Sequence, residues 1–313
     1  MIYRVTYLSD GLRVTGYAAL PPEIEVSEKE IATWLRRECG DLELTAEAVA
    51  CVLPRAVREA EAYREKVRTG RGLAARESDS SRTDGGKRRY PVFVYCRGGI
   101  GRVGRVRLDW MAEFASFGHI AVAPCYRGGE SGVGRDEFGG ADLEDSRVAV
   151  RLARKIPFAD PGRVAVMGFS RGSINAADAA VNERTARLVL WGGLSDLAQT
   201  YEERIDLRRM MKRVIGGSAY KLPDVYRERS PIHMASRIHC PVLIVHGTED
   251  AQVDFGHGQR MYAELKRLGK NADFEILQGL GHHMPRETRM EVLARIFAWL
   301  ETGQPGKARP QPL

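Results

Sequence analysis

From Tyr90 onward, short continuous apolar runs alternate with longer stretches of helical periodicity, and no other feature restricts the fold as much. The runs are PVFVYC, HIAVAPC, RVAVMGFS, RLVLWGG, CPVLIVHG and DFEILQG. Each is strand-sized and apolar on both faces, which suits a strand only when both faces of its sheet are covered. Between them lie helical patterns over about 105–117, 141–155, 171–183, 257–269 and 285–301, with a mixed stretch over 196–236. Such alternation predicts an α/β fold built on a mostly parallel, doubly wound sheet.

The first twenty residues have a different period. Tyr3, Val5 and Tyr7 alternate, as do Val14, Gly16 and Ala18, around Ser9-Asp10-Gly11. That is the pattern of a β-hairpin, and it brings the expected sheet to about eight strands. From Glu23 to Arg89 the character changes again. Ser27-Glu28-Lys29-Glu30 reads as a capping box opening a helix with Ile31, Trp34 and Leu35 on one face. A second helix is expected from about Thr45 to Arg68, striped by Val49, Leu53, Val57, Ala60, Tyr63 and Val67 and bent at Pro54. The polar stretch ARESDSSRTDGGKRR reads as a mobile loop, and TGQPGKARPQPL as a disordered tail. The expected organisation is an α/β core over 1–22 and 90–301, a helical insertion over 23–89, and a tail over 302–313.

Composition excludes several functions. At 313 residues, with 43% apolar and 28% charged residues, the chain can bury a full globular core. Its net charge of +7 comes from arginines scattered along the chain, with no basic run interleaved with aromatics, so nucleic acid is not an expected partner. The five cysteines (Cys39, Cys51, Cys96, Cys125, Cys240) form no CxxC pair and have no histidine at metal-ligand spacing. An odd, scattered set points to a reducing compartment. The N-terminus MIYRVTYLSDGLRV lacks the apolar core of a signal peptide, and the apolar runs fall far short of the ~20 residues of a membrane span. A soluble cytoplasmic protein with no membrane contact is expected.

The chemistry concentrates at Gly168-Phe169-Ser170-Arg171-Gly172. Five letters of this kind arise easily in a Gly-rich chain, and a helix-capping serine is the plain alternative. The context is more specific, because the motif follows the strand RVAVM directly and opens a helical run. A sharp strand-to-helix turn forces its central residue into strained backbone, and glycines two residues to either side remove the clashes. The Ser170 hydroxyl then projects from the C-terminal edge of the sheet as a nucleophile, with the Arg171 N–H facing the site where an oxyanion would form.

A serine hydroxyl needs an imidazole base oriented by a carboxylate. Asp250 follows the strand CPVLIVHG, and His282 follows the strand DFEILQG, so both reach the same sheet edge in the chain order Ser, acid, His. Glu249, Asp254 and Asp196 compete with Asp250, although Asp196 also suits a helix cap. His283 competes with His282, and spacing does not separate adjacent histidines. His246 reads as a hydrogen-bonded core residue. A second oxyanion donor is expected from the Gly-rich loop Arg97-Gly98-Gly99-Ile100-Gly101, through Gly98 or Gly99.

These pieces, taken in order, resemble the catalytic domain of the prolyl oligopeptidase family of serine peptidases over about Tyr90 to Leu300. The matching segments are the RGG loop at 97–99, Tyr126-Arg127-Gly128-Gly129-Glu130-Ser131-Gly132 with Asp142 and Asp145 after it, Asp160-Pro161-Gly162-Arg163-Val164 leading into Gly168-Phe169-Ser170, Ser230-Pro231-Ile232, CPVLIVHGTEDAQV and the histidine loop. The resemblance implies the α/β-hydrolase fold and a triad of Ser170, Asp250 and His282. It also implies an acyl-enzyme route to cleavage of short peptides, with no cofactor or metal. Two departures stand out. Arg97 occupies a position where the family usually carries His or Tyr, and a guanidinium cannot replace a tyrosine hydroxyl in the oxyanion hole. Arg171-Gly172-Ser173 replaces the family's usual Tyr and glycines. In place of the larger members' N-terminal propeller stands only the 23–89 segment, which could restrict substrate size or join two copies into a homo-oligomer. A carboxylesterase or thioesterase is the alternative enzyme, and a non-catalytic binding protein of the same fold is the alternative class.

Overall fold

The computed structural model describes residues 1–70, 82–84, 87–130 and 132–303. The elements run β1 (Ile2–Ser9), β2 (Leu12–Ala19), α1 (Glu28–Cys39), β3 (Ala46–Ala50), α2 (Pro54–Gly70), β4 (Arg82–Asp84) and β5 (Lys87–Cys96). There follow α3 (Leu108–Ser116), β6 (Ile120–Pro124), α4 (Asp142–Lys155), β7 (Ala159–Phe169), α5 (Gly172–Asn182) and β8 (Arg187–Trp191). The chain continues with α6 (Leu197–Glu203), α7 (Arg208–Ile215), α8 (Pro223–Glu228) and α9 (Pro231–Met234), then β9 (Val242–Gly247), α10 (Phe255–Arg267), β10 (Ala272–Leu277) and α11 (Arg286–Thr302).

The sheet order is β10-β9-β8-β7-β5-β6-β2-β1-β3, with β4 paired to β5 outside this path. From β10 to β6 all neighbours are parallel, whereas β2, β1 and β3 join antiparallel. This is the α/β-hydrolase fold expected from the alternation of runs, widened at its antiparallel end. The hairpin closes through Asp10 (φ 47°) and Gly11 (φ 73°), a two-residue turn whose twist matches the strands on either side. One apolar core lies on the sheet face covered by α1, α4, α5 and α10; a second lies on the opposite face under α2, α3 and α11. No described helix is long and apolar enough to cross a membrane.

The expected helix over Thr45–Arg68 divides in two. Ala46–Ala50 is an edge strand paired antiparallel with β1, and Pro54 begins α2 rather than bending it. Proline favours the first helical turn, where its missing N–H has no partner to lose. Of the expected stripe, Val57, Ala60, Tyr63 and Val67 pack into the second core, while Val49 and Leu53 are exposed. The capping box at Ser27 and Glu30 forms as expected. Most of the polar stretch read as a loop lies outside the described residues, but Arg82–Asp84 forms β4 and Lys87–Arg89 begins β5. Of the expected tail, 304–313 lies outside the described residues, and α11 ends at Thr302 with Gly303 as a left-handed cap.

The strand order matters for function at one place. The chain leaves β5 for β6 on one side, then returns to β7 on the other side of β5. Loops leaving the C-terminal ends of β5 and β7 therefore turn in opposite directions along the sheet, the arrangement at which open α/β sheets generally place their ligand sites. Gly98 follows β5 and Ser170 follows β7.

Candidate active site

Ser170 sits between β7 and α5 with φ of 56°, a left-handed conformation that is strained for a side chain larger than hydrogen. Its N–H donates to Trp191 O at 3.0 Å, and its carbonyl accepts from Ser173 N at 3.1 Å, so the turn is held from both sides. The flanking glycines are steric requirements. A Cβ on Gly168 would lie 2.5 Å from Gly172 O, and one on Gly172 would run into the Cys96 carbonyl. Phe169 and Arg171 are buried, and Ser170 between them is half-exposed.

The base and acid arrive from two later strands. His282 Nδ1 donates to Asp250 Oδ2 at 2.7 Å, and both side chains are buried. Asp250 Oδ1 accepts from the N–H groups of Gln252 and Val253, each at 2.9 Å, which fixes the carboxylate in its own loop. Burial alone would raise the Asp250 pKa, but hydrogen bonding to His246 and His282 outweighs it and holds the carboxyl well below its usual range. The His282 ring lies 4.8 Å, centroid to centroid, from Phe169, the residue preceding Ser170. His283 lies farther from Phe169, at 5.8 Å, and forms no hydrogen bond to Asp250 among the described residues. Burial, and then the neighbouring charge of His282, lowers the His283 pKa. Geometry thus separates two histidines that spacing leaves equivalent.

The competing carboxylates have other places. Asp196 caps α6, accepting from Ala198 N and Gln199 N. Asp254 caps α10 through Gly256 N. Glu249 is exposed.

Gly98 lies directly against the nucleophile, since a Cβ there would meet Ser170 Cβ at 2.8 Å and Phe169 O at 2.9 Å. Gly99 has φ of 62°, and its backbone turns back on Gly104. The carbonyls of Gly98 and Gly99 accept from Arg97 Nη1 at 3.2 and 3.3 Å, and Gly99 O also accepts from Arg171 Nη1 at 3.4 Å. Two guanidiniums therefore fix the carbonyl side of this loop.

The chain spanning this site matches known proteins. The model of the prolyl oligopeptidase family matches residues 106–303. An uncharacterized peptidase of Bacillus subtilis (strain 168), YtmA, is 38% identical over 233 residues, covering 74% of this chain and 88% of that protein. The chain belongs to the prolyl oligopeptidase family. The acylamino-acid-releasing enzyme of Arabidopsis thaliana is 26% identical over 210 residues, which are 60% of this chain but 27% of that protein. Among solved structures, an acylaminoacyl peptidase shares the fold over 99% of this chain and 42% of its own, with a TM-score of 0.64 and 20% identity. A puromycin hydrolase matches 68% of this chain and 34% of its own at 26% identity and a TM-score of 0.59. The chain thus spans most of the Bacillus peptidase and less than half of the larger relatives.

Membership in the prolyl oligopeptidase family makes this chain a hydrolase, and it puts the two arginine departures in context. Arg97 does not enter the site. It is buried, donates to Cys125 O at 2.6 Å, and lies 4.5 Å over the Tyr126 ring. The Arg171 side chain is also buried, between the rings of Tyr126 and Phe138, each 4.8 Å from its guanidinium carbon. It donates to Asp136 at 2.7 Å and to Asp142 at 2.7 Å. Burial alone would lower its pKa, but the two carboxylates outweigh this and raise it. Asp142 also accepts from the N–H groups of Gly139 and Gly140 and from Asn175 Nδ2. Burial alone would raise the Asp142 pKa; Arg171 and these donors bring it below the usual carboxylate value.

Sequence reasoning did not single out Asp136, Gly192 or this charge cluster. Gly192 has φ of 51°, and a Cβ there would lie 3.3 Å from both Asp250 Oδ2 and His282 Nδ1. The sequence signal for it is the doubled glycine ending RLVLWGG at the shared sheet edge.

Proposed function

We propose that this protein is a serine peptidase that cleaves short peptides, with Ser170 as nucleophile, His282 as general base and acid, and Asp250 as the carboxylate that orients His282. The observation that carries the reading is Ser170, strained at φ 56° on a turn between β7 and α5, together with a His282–Asp250 hydrogen bond of 2.7 Å whose imidazole lies 4.8 Å from the Phe169 ring. With Nδ1 donating to Asp250, the Nε2 atom of His282 is the one left to accept a proton. It would take the Ser170 proton as Oγ attacks the scissile carbonyl carbon. The tetrahedral oxyanion would accept hydrogen bonds from the Arg171 N–H and from Gly98 or Gly99. His282 would then pass the proton to the leaving amine, leaving an acyl-enzyme on Ser170. A water deprotonated by the same imidazole would release the acid product. The names of relatives that release acylated amino acids or hydrolyse puromycin support a substrate with an amide bond.

Turnover of aminoacyl- and prolyl-anilides, compared with p-nitrophenyl esters and thioesters, tests the substrate class. Anilide hydrolysis that disappears in Ser170→Ala supports the peptidase; turnover of esters alone would replace it with a carboxylesterase or thioesterase.

A further inference from the structure

The Asp250 carboxylate has a second histidine beside it. His246, on β9, is buried, and its Nε2 lies 3.5 Å from Asp250 Oδ2 and 2.9 Å from Val253 O. A carbonyl can only accept, so the proton sits on Nε2 and is donated to the Val253 carbonyl, with the carboxylate next to it at 3.5 Å. Val253 is also the residue whose N–H donates to Asp250 Oδ1. The backbone of Val253, at the end of the acid's loop, is therefore held on both sides, its N–H by Asp250 from within the loop and its carbonyl by His246 from the strand.

The imidazole is itself fixed. Phe255 meets it edge-on at 5.9 Å, and α10 passes so close that a Cβ on Gly258 would lie 2.8 Å from His246 Nδ1. That Nδ1 has no hydrogen-bond partner among the described residues, so the ring is buried at the expense of one of its polar atoms. Two groups on neighbouring elements are engaged elsewhere. His257, on α10, accepts from Ser195 N at 3.1 Å and donates to Glu203 at 2.9 Å. Arg204 Nη1 donates to Gln252 O at 2.8 Å, from the outer side of the same loop.

We propose that His246 is a positioning residue for the hydrolytic reaction, holding the Asp250–Val253 turn so that the carboxylate stays aimed at His282. The proposal rests on Asp250 being the triad acid. His246 acts through Asp250, so its removal should loosen the orientation of His282 without touching substrate.

The test is a steady-state comparison of His246→Leu, His246→Gln, Asp250→Asn and the His246→Leu/Asp250→Asn double variant on one activated substrate. His246→Leu is expected to lower kcat on the order of 10- to 100-fold, as small misplacements of catalytic groups do. KM should stay within about 2-fold, because no substrate contact is lost. His246→Gln, whose amide N–H reaches to the same place, should recover most of the loss. In the Asp250→Asn background the leucine substitution should add less than about 2-fold, because both changes act on one orientation. If the leucine variant does not fold, His246→Asn, whose shorter amide falls short of Val253, takes its place. An unchanged kcat in the donor-less variant, or an undiminished further loss in the Asp250→Asn background, would overturn the proposal. Wild-type activity in Asp250→Asn would instead overturn the triad assignment, so the two failures are distinguishable.

Discussion

Arg171 Nη2 donates to Asp142 Oδ2 at 2.7 Å, joining the residue beside the nucleophile to the first turn of α4 through a buried ion pair. Asp136 closes the cluster on the other side of the same guanidinium. The oxyanion side of the site is thus anchored in the protein interior. Removing Arg171 leaves the buried Asp142 without its cation and leaves Asp136 only Arg97, 3.4 Å away, and breaking a buried ion pair typically costs about 3–5 kcal/mol. Arg171→Met is therefore expected to lower the urea-unfolding free energy by that amount and to reduce activity with it. Arg171→Lys should recover only part, because an ammonium cannot reproduce the planar contacts to both carboxylates and both rings.

Gly98→Ala should act mainly on the reaction. Its Cβ would lie 2.8 Å from Ser170 Cβ, so the loop or the nucleophile must shift. Loss of one oxyanion donor costs roughly 10²–10³-fold in kcat, and a loss of at least about 10²-fold is expected here. Steady-state kinetics on an anilide or an ester reads the effect, and Tm should change far less than for Arg171→Met.

Ser170→Gly should abolish hydrolysis and stabilise the fold. Glycine adopts positive φ without strain, whereas serine at φ 56° carries a cost of order 1–3 kcal/mol. A rise in Tm together with loss of activity is the expected outcome, read by thermal unfolding of the variant beside the wild type.

What the sequence makes legible follows from how local each signal is. The parallel strands and their helices show in runs of a few residues, because burial on both faces dictates every position of such a strand. The order of Ser170, Asp250 and His282 is legible for the same reason, since each follows a strand end. Ala46–Ala50 is not, because Ala and Glu favour helix locally, and only pairing with β1, some 40 residues earlier, makes it a strand. Pro54 reads as a bend because helical pattern continues on both sides of it in the sequence. The buried arginines were illegible for another reason: nothing local to Arg97 or Arg171 reveals that Asp136 and Asp142 will neutralise them. The choice between His282 and His283 depends on one hydrogen bond, which only the folded loop decides.

His119 gives a pH dependence of stability. It is buried against Phe297, 4.7 Å away, and Phe93, and its Nδ1 bonds to Phe117 O at 3.1 Å. Burial, with the nearby charge of Arg64, lowers its pKa to about 3. The unfolded chain takes up this proton near pH 6.5 and the folded chain does not, so stability is complete above about 6.5 and is lost as pH falls towards 3. His119→Gln is expected to flatten the fall between pH 6 and 4.5 by up to ~1.4 kcal/mol per pH unit. Urea unfolding at several pH values checks it; parallel slopes for variant and wild type would show that His119 is not responsible. The lowered carboxylates, Asp142 and Asp250, lose their contribution only below the ordinary carboxylate range, outside this window.

Labelling with a fluorophosphonate, followed by peptide mass analysis, tests the assignment of Ser170 most directly. The expected result is a single adduct on the peptide containing Ser170, absent in Ser170→Ala and strongly slowed in Asp250→Asn and His282→Ala. Undiminished labelling of Ser170→Ala, or no labelling of a wild-type protein that hydrolyses substrate, would contradict it.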